Sequence, residues 1–215
     1  MKKSLEKIKS WGLSLSKKQI DMLNQYVELI LSKKELLNLT KVADSSHIWQ
    51  RHITDAAFAV SVLKPYLKDR TNPVIADVGA GAGYIGICFK IIFPYAKVIL
   101  VESVERKCAF LNWAVSKLAL KNTDVVCARV DIHNDILKAD IVIERAMGKL
   151  TDILPRCLKL VKKNGFLTVY QGGGYSLDAK VQAILSRHNA AIRLMDNYFL
   201  PYDDKKRTLL LFEKL

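Results

Sequence analysis

The chain has 215 residues, 50% hydrophobic, 26% charged and 8% aromatic, a composition that can bury a core and excludes wholesale disorder. Lysine and arginine number 34 against 21 aspartates and glutamates, a net charge of +13, which favours a polyanionic partner, nucleic acid or an acidic membrane surface, without choosing between them. Charge interrupts every long apolar stretch, as Lys90 does within Ile85–Phe93, so no run reaches the ~18 residues of a membrane span, and Glu6, Lys7 and Lys9 break up any signal core, so neither a membrane location nor export is expected.

The first 72 residues read as helices. The basic stretch from Lys2 to Lys9 places Leu5 and Ile8 on one side, a pattern open to a membrane-surface helix but favouring a solvated or RNA-facing one. Ser16 with Gln19 three residues on fits a capping box, and Ile20, Leu23, Val27 and Ile30 then recur at helical spacing as a buried stripe. A further helix, or pair, is predicted from about Ser45 to Lys68, closed by the Thr71-Asn72-Pro73 turn.

From residue 74 short apolar runs alternate with helical patterns. Strands are predicted at Val74–Val78, Lys97–Val101, Thr123–Cys127, Ile141–Ile143 and Phe166–Tyr170, and two closing strands at Ile192–Leu194 and Thr208–Glu213. Helices are predicted after the glycines to Phe93, from Arg106 through Phe110 and Trp113, over Thr151–Lys162 and over Leu177–Arg187. Alternation of this kind implies an α/β fold with a largely parallel sheet covered on both faces, and the adjacent closing strands imply an antiparallel edge. The expected organisation is an N-terminal helical extension over 1–72 and a Rossmann-like domain over 73–215. Net charge is +6 over 1–72, +2 over 73–150 and +5 over 151–215. The nearly neutral middle suits a small cofactor, and the basic flanks suit a large anion. Cys88, Cys108, Cys127 and Cys157 form no CxxC pair and each has apolar neighbours, so unpaired buried thiols in a reducing cytoplasm are expected.

Asp77-Val-Gly79-Ala-Gly81-Ala-Gly83-Tyr84-Ile-Gly86 follows a strand and opens a helix. Such a loop lies at the carboxyl end of a parallel strand, where open sheets bind ligands, and its glycines allow a tight turn and close approach of a ligand to the backbone. Gly81 to Gly86 alone matches the dinucleotide fingerprint GxGxxG, with Glu102 an acid about the right distance onward. Asp77, at the end of the strand, instead suits a cofactor carrying an amino group and a sulfonium. About 70 helical residues precede the sheet, and too little chain follows for a separate dehydrogenase substrate domain. These features favour S-adenosyl-L-methionine over NAD.

The methyl acceptor is narrowed by what is missing. An exocyclic amine calls for an Asn/Asp-Pro-Pro-aromatic loop after the fourth strand, where the chain has Ile143-Glu144-Arg145-Ala146. Pyrimidine carbon calls for a cysteine nucleophile, and Cys157, in Pro155-Arg156-Cys157, reads as mid-helix. Guanine N7 carries an exposed lone pair, so its methylation needs positioning and electrostatics more than a base.

Several motifs in order along the chain resemble the RsmG (GidB) family of 16S rRNA guanine-N7 methyltransferases. Asn38-Leu-Thr40 resembles its NLT signature, and Arg51-His52-Ile-Thr-Asp55 its HxxDS segment. Asp77–Ile87 matches its glycine loop, and Val101-Glu-Ser103 with Arg106-Lys107 and Phe110-Leu111 its next strand and helix. Arg129-Val-Asp131 resembles its RaE triplet, Arg145-Ala146 its RA pair, and Pro201 with Arg207 its closing pattern. The chain departs at Ile85, where the family has proline, at Ala56 for serine, at the shorter acid Asp131, and at Gln171-Gly172 for Lys-Gly.

The resemblance implies a class I S-adenosyl-L-methionine-dependent methyltransferase fold, cytoplasmic and monomeric. It also implies a substrate, guanine N7 in the 530 loop of 16S rRNA (conventional position 527) on the small ribosomal subunit. It implies that backbone at Gly79, Gly81 and Gly83 cradles the methionine part of the cofactor with Tyr84 nearby, that Asp77 faces its amino group and Glu102 its ribose, and that Val130 and Asp131 border adenine. Arg145 carries the catalytic role and anchors either a cofactor carboxylate or RNA phosphate. His52, Asp55, Gln171 and Arg207 fall on the substrate side, and no metal is expected, since His52 and Asp55 lack a third ligand. Other readings left open are a non-catalytic nucleic-acid-binding protein with this fold, and a methyltransferase acting on another RNA or a small molecule.

Overall fold

The capping box at Ser16 forms, with Gln19 N donating to Ser16 Oγ at 3.3 Å and Ser16 N to Gln19 Oε1 at 2.9 Å. It starts α2, Lys17–Leu37, which follows α1, Lys2–Ser10, and stops at Asn38 in a left-handed conformation (φ +50°). The computed structural model describes residues 1–38, 44–131, 137–173 and 178–215, so Leu39 and Thr40 of the NLT segment, His133, and the predicted helix start at Leu177 lie outside the described residues.

One helical run covers residues 45 to 67. It comprises α3 (Ser45–Ile48), a wide π-turn (Trp49–Ile53) and α4 (Thr54–Leu67). Thr54 Oγ1 donates to Trp49 O at 2.7 Å inside the wide turn. π-turns of this kind recur at functional sites, and this one contains His52 and ends two residues before Asp55.

The sheet contains β1 (Val74–Val78), β2 (Lys97–Glu102), β3 (Thr123–Cys127), β4 (Ala139–Arg145), β5 (Val161–Gly172), β6 (Ala190–Tyr198) and β7 (Arg207–Lys214), in the order β3-β2-β1-β4-β5-β7-β6. The pairs from β3 to β5 are parallel, and β7 runs antiparallel between β5 and β6. Helices α5 (Tyr84–Ile92), α6 (Glu105–Lys117), α7 (Leu150–Leu160) and α8 (Ala179–Arg187) connect them. This is a Rossmann-like, mostly parallel sheet with the expected antiparallel edge.

Each face of the sheet carries its own apolar layer. One joins Ile75, Leu100 and Ile143 to α5 and α6 and also to Leu23, Val27, Ile30 and Leu63 from the helices before β1. The other joins Val78, Val142 and Phe212 to Leu154, Cys157 and Leu158 of α7 and Val181 and Leu185 of α8. Burial of this kind contributes about 25 cal/mol per Å² of apolar surface.

Two expectations are corrected. The helix predicted to reach Lys162 ends at Leu160. Val161 turns extended (φ −79°, ψ 131°) and begins β5, and Lys162 there bonds Asp140 at 2.9 Å. Nor are all four cysteines free and buried. Cys108 of α6 and Cys127, exposed at the end of β3, are joined as a disulfide with a Cα–Cα distance of 5.8 Å, whereas Cys88 and Cys157 are buried thiols. Among the described residues no helix is long and apolar enough to cross a membrane.

Candidate methyl-transfer site

The site is assembled at the carboxyl ends of β1, β2, β4 and β5. The glycine loop after β1 holds Gly79, Gly81 and Gly83 at φ +70°, +60° and +83°, backbone that a residue with a Cβ adopts only under strain. Gly79 N and Ala80 N donate to Val101 O at 2.9 and 3.0 Å, and Gly83 N to Ala80 O at 2.7 Å. Tyr26 reaches in from α2, its hydroxyl donating to Ala82 O at 2.7 Å, so the N-terminal helices hold the loop directly. A Cβ on Gly79 would come within 2.7 Å of Met147 Cγ, because Met147, after β4, lies across that glycine.

Two carboxylates pin the loop from below. Asp77, 2% exposed, accepts from Gly86 N at 2.8 Å, and burial pushes its carboxyl up to about 6 despite that bond. Glu102, 6% exposed, accepts from Gly81 N at 2.9 Å with Oε2 and from Ser103 N and Val104 N at 2.8 and 3.0 Å with Oε1. Lys107 Nζ lies 4.0 Å from Oε2. Val130 is buried and Asp131 half-buried, both beyond β3.

Arg145 ends β4. Its Nη1 donates to Asp55 Oδ2 at 3.1 Å, and its Nη2 lies 3.3 Å from His52 Nδ1. The guanidinium lies 5.4 Å from the centre of the Tyr84 ring, and the His52 ring stacks on the same tyrosine at 3.9 Å and 11°. Burial opposes the charge on Arg145, but Asp55, reinforced by Tyr170, outweighs it and holds the group charged. Burial, with Arg145 and Arg207 adding to it, depresses His52 to about 3, so the ring is neutral at physiological pH.

Asp55 has no exposure. Besides Arg145 it meets Arg207 Nη1 at 3.5 Å and accepts from the Tyr198 hydroxyl, while its backbone carbonyl accepts from Tyr170 Oη at 3.2 Å. Arg207 also donates to Asp203 at 3.1 Å. Above this group opens a cavity of about 720 Å³ whose lining includes Arg145, Gln171, Lys205, Lys206 and Arg207. The arrangement thus has two halves: a glycine loop with acidic supports, and a basic hollow, with Arg145 and Tyr84 between them.

His52, Asp55, Tyr84, Arg145, Gln171 and Arg207 are therefore gathered in space, and Gly79, Gly81 and Gly83 form the adjoining loop, supported by Asp77 and Glu102. Val130 and Asp131 stand further along the same edge, past β2. Glu144, given no role from sequence, is buried, accepts from Met147 N, and is raised to about 7 by burial. Sequence reading also missed Tyr26, Tyr170, Tyr198 and Met147. The tyrosines lie on strands or helical stripes where an apolar core position gives the same pattern. Lys205 and Lys206, missed as well, sit in the only Lys-Lys-Arg run of the closing segment. Trp49 is buried and bonded to Asn24 at 2.9 Å, and Trp11 packs on Phe58. Among the described residues no group of three or more metal-ligating side chains occurs.

Comparison with known proteins agrees with this geometry. A family model described as rRNA small subunit methyltransferase G, GidB, matches residues 19–201. The curated Ribosomal RNA small subunit methyltransferase G of Lysinibacillus sphaericus is 30% identical over 98% of this chain and 89% of that protein. Its counterpart in Acetivibrio thermocellus is 31% identical over 98% and 86%. Among solved structures, magnesium protoporphyrin IX methyltransferase of Synechocystis PCC 6803 with bound SAM superposes with a TM-score of 0.63 at 11% identity, covering 88% of this chain and 97% of that one. The M. jannaschii TYW2 structure in complex with AdoMet gives 0.60 at 17% identity, over 83% and 81%. A family match over most of the length, relatives at 30% identity or more and a shared sheet topology agree: this chain belongs to the GidB family of small-subunit rRNA methyltransferases.

Proposed function

We propose that the chain methylates N7 of a guanine in the 530 loop of 16S rRNA, conventional position 527, using S-adenosyl-L-methionine, and that it does so as a cytoplasmic monomer. The observation that carries this reading is the position of Arg145, packed by Tyr84 against the glycine loop on one side and lining the basic hollow on the other.

The residues present fit the cofactor. The left-handed glycines leave the loop without Cβ atoms where a ligand approaches, and Asp77 and Glu102 offer carboxylates to an amino group and to ribose hydroxyls. When bound, the cofactor supplies an electrophilic methyl group on a sulfonium. Backbone at Gly79, Gly81 and Gly83 cradles its methionine part beside Tyr84, and Val130 and Asp131 border adenine. Glu102 retains acceptor capacity beyond its three backbone bonds, since a carboxylate has about four lone-pair positions.

On the substrate side, Arg145 anchors phosphate or the cofactor carboxylate, and Gln171 and Arg207 contact RNA. Asp55, fully buried, acts through the two guanidiniums it orients. Guanine N7 needs no proton removed, which accords with a neutral His52 and a charged Arg145 as the central groups: orientation and electrostatics carry the step. The division into an extension over 1–72 and a methyltransferase domain over 73–215 follows function in this reading. The extension supplies His52, Asp55 and the Tyr26 contact, and the domain supplies the loop and Arg145. Incubation with methyl-labelled cofactor and unmodified 16S rRNA, followed by mapping of the label, tests the proposal. Label on guanine in the 530 loop supports it, and label on protein alone overturns it.

A further inference from the structure

The Cys108–Cys127 pair lies beside Glu102, outside every role assigned above. Glu102 and Cys127 are register partners in β2 and β3, and Ala128 N donates to Glu102 O at 3.0 Å. Cys108 stands on the first turns of α6. Its backbone N donates to Val104 O at 3.0 Å, and its sulfur lies 3.2 Å from Glu102 O. The bond therefore ties three segments to one another: the end of β2 with its carboxylate, the start of α6 whose Val104 N that carboxylate accepts, and the end of β3 that leads to Val130 and Asp131.

Access is one-sided. Cys108 is 4% exposed, whereas Cys127 is exposed on β3, which is an edge strand of the sheet. Of the pair, one residue is thus exposed and the other buried, at a Cα–Cα distance of 5.8 Å, within the usual range for a disulfide. That is the arrangement of an attacking thiol with a resolving partner.

We propose that Cys108 and Cys127 form a reversible thiol–disulfide site that sets the affinity of the cofactor pocket. The inference rests on the reading of Glu102, Val130 and Asp131 as the adenosine end. The oxidant is a low-molecular-weight disulfide such as glutathione disulfide. The Cys127 thiolate attacks it, forming a mixed disulfide and releasing one glutathione thiolate. The Cys108 thiolate then attacks the Cys127 sulfur and releases the second. The two cysteine protons end on the two glutathione thiols, so the protein is oxidised by two electrons and one glutathione disulfide is reduced. A thiol reductant reverses the exchange. In the oxidised form the chain from Cys127 to Asp131 is anchored to α6, so less ordering remains to be done when ligand binds. The reduced form lacks that covalent tie between Cys127 and α6.

The test is calorimetric titration of S-adenosyl-L-methionine into the full chain after equilibration with glutathione disulfide or with dithiothreitol. Alkylation and mass spectrometry score the thiols, and thermal unfolding checks the fold. The oxidised protein is expected to protect Cys108 and Cys127 and to bind at least about fivefold more tightly than the reduced. Cys127→Ser is expected to bind equally in both buffers, at the reduced-state affinity. Equal affinity in the two states, a difference that survives in Cys127→Ser, or both thiols still alkylated after oxidation overturns the redox proposal while leaving the cofactor reading intact. Absence of binding in both states overturns the cofactor reading and the redox proposal with it.

Discussion

Arg145 and Asp55, ninety residues apart in the chain, form a 3.1 Å ion pair in which the carboxylate is wholly buried and the guanidinium 20% exposed. The pair fastens the helical segment before β1 to the end of β4, and Arg207 on β7 approaches the same carboxylate at 3.5 Å. Removing the charge of Asp55 leaves two guanidiniums facing each other across a neutral group. Breaking a buried ion pair from one side costs roughly 3–5 kcal/mol; the partial exposure of both arginines lowers the expectation for Asp55→Asn to about 2–3 kcal/mol. Urea unfolding measures it, and a loss below about 0.5 kcal/mol would contradict the role given to Asp55.

Glu102→Ala is expected to weaken S-adenosyl-L-methionine binding by about tenfold or more, since each charge-assisted hydrogen bond is worth roughly 1.5–3 kcal/mol. Glu102→Gln, which keeps an acceptor, should lose less. Calorimetry gives the affinity and circular dichroism the fold. Wild-type affinity in a folded Glu102→Ala protein would remove Glu102 from the ribose.

The path from sequence to site was clear where information is local. The β1 and β3 bounds, the capping box at Ser16 and the glycine turn each depend on neighbouring residues, and all appear where the pattern places them. The end of α7 did not, because Val161 and Lys162 continue the apolar-basic alternation of the helix and only pairing with Ala139 makes them strand. The Cys108–Cys127 bond was illegible for a related reason. Nineteen residues of separation say nothing about β3 folding back beside α6. Asp55 was recognised by its motif, but its burial depends on Tyr170, Tyr198 and Arg207, which topology brings from β5, β6 and β7.

Stability should carry the signature of Glu144. Its carboxyl is raised from 4.5 to about 7, so between those pH values the folded protein holds a proton that the unfolded chain has released. Stability from this group is present below about pH 4.5 and is lost as pH rises to about 7, at about 1.4 kcal/mol for each tenfold difference in proton affinity between the folded and unfolded chain. Glu144→Gln should therefore flatten the pH dependence and exceed the wild type at pH 8 by on the order of 1–3 kcal/mol, with a smaller difference at pH 5. Asp77, raised to about 6, acts in the same direction and persists in the variant. Parallel curves for the two proteins in denaturant titrations from pH 5 to 8 would show that Glu144 does not titrate in that range.

Lys205 and Lys206 are exposed on the rim of the basic hollow. If both contact phosphate, changing them to alanine should weaken RNA binding at low salt and reduce the log–log salt slope by about 1.4, at roughly 0.7 per single-strand phosphate contact. Filter binding across a salt series measures the slope. An unchanged slope would place the RNA elsewhere on the +13 surface.

The central claim is the acceptor atom. It is tested most directly by supplying the full chain with methyl-labelled S-adenosyl-L-methionine and small subunits whose 16S rRNA lacks the modification, then mapping the product by nuclease digestion and mass spectrometry. The account predicts one labelled 7-methylguanine within the 530 loop, reduced at least about tenfold by Arg145→Ala, as expected when one positioned electrostatic contact to the substrate is removed. Label on another base, on another atom of guanine, or on no RNA at all would contradict it.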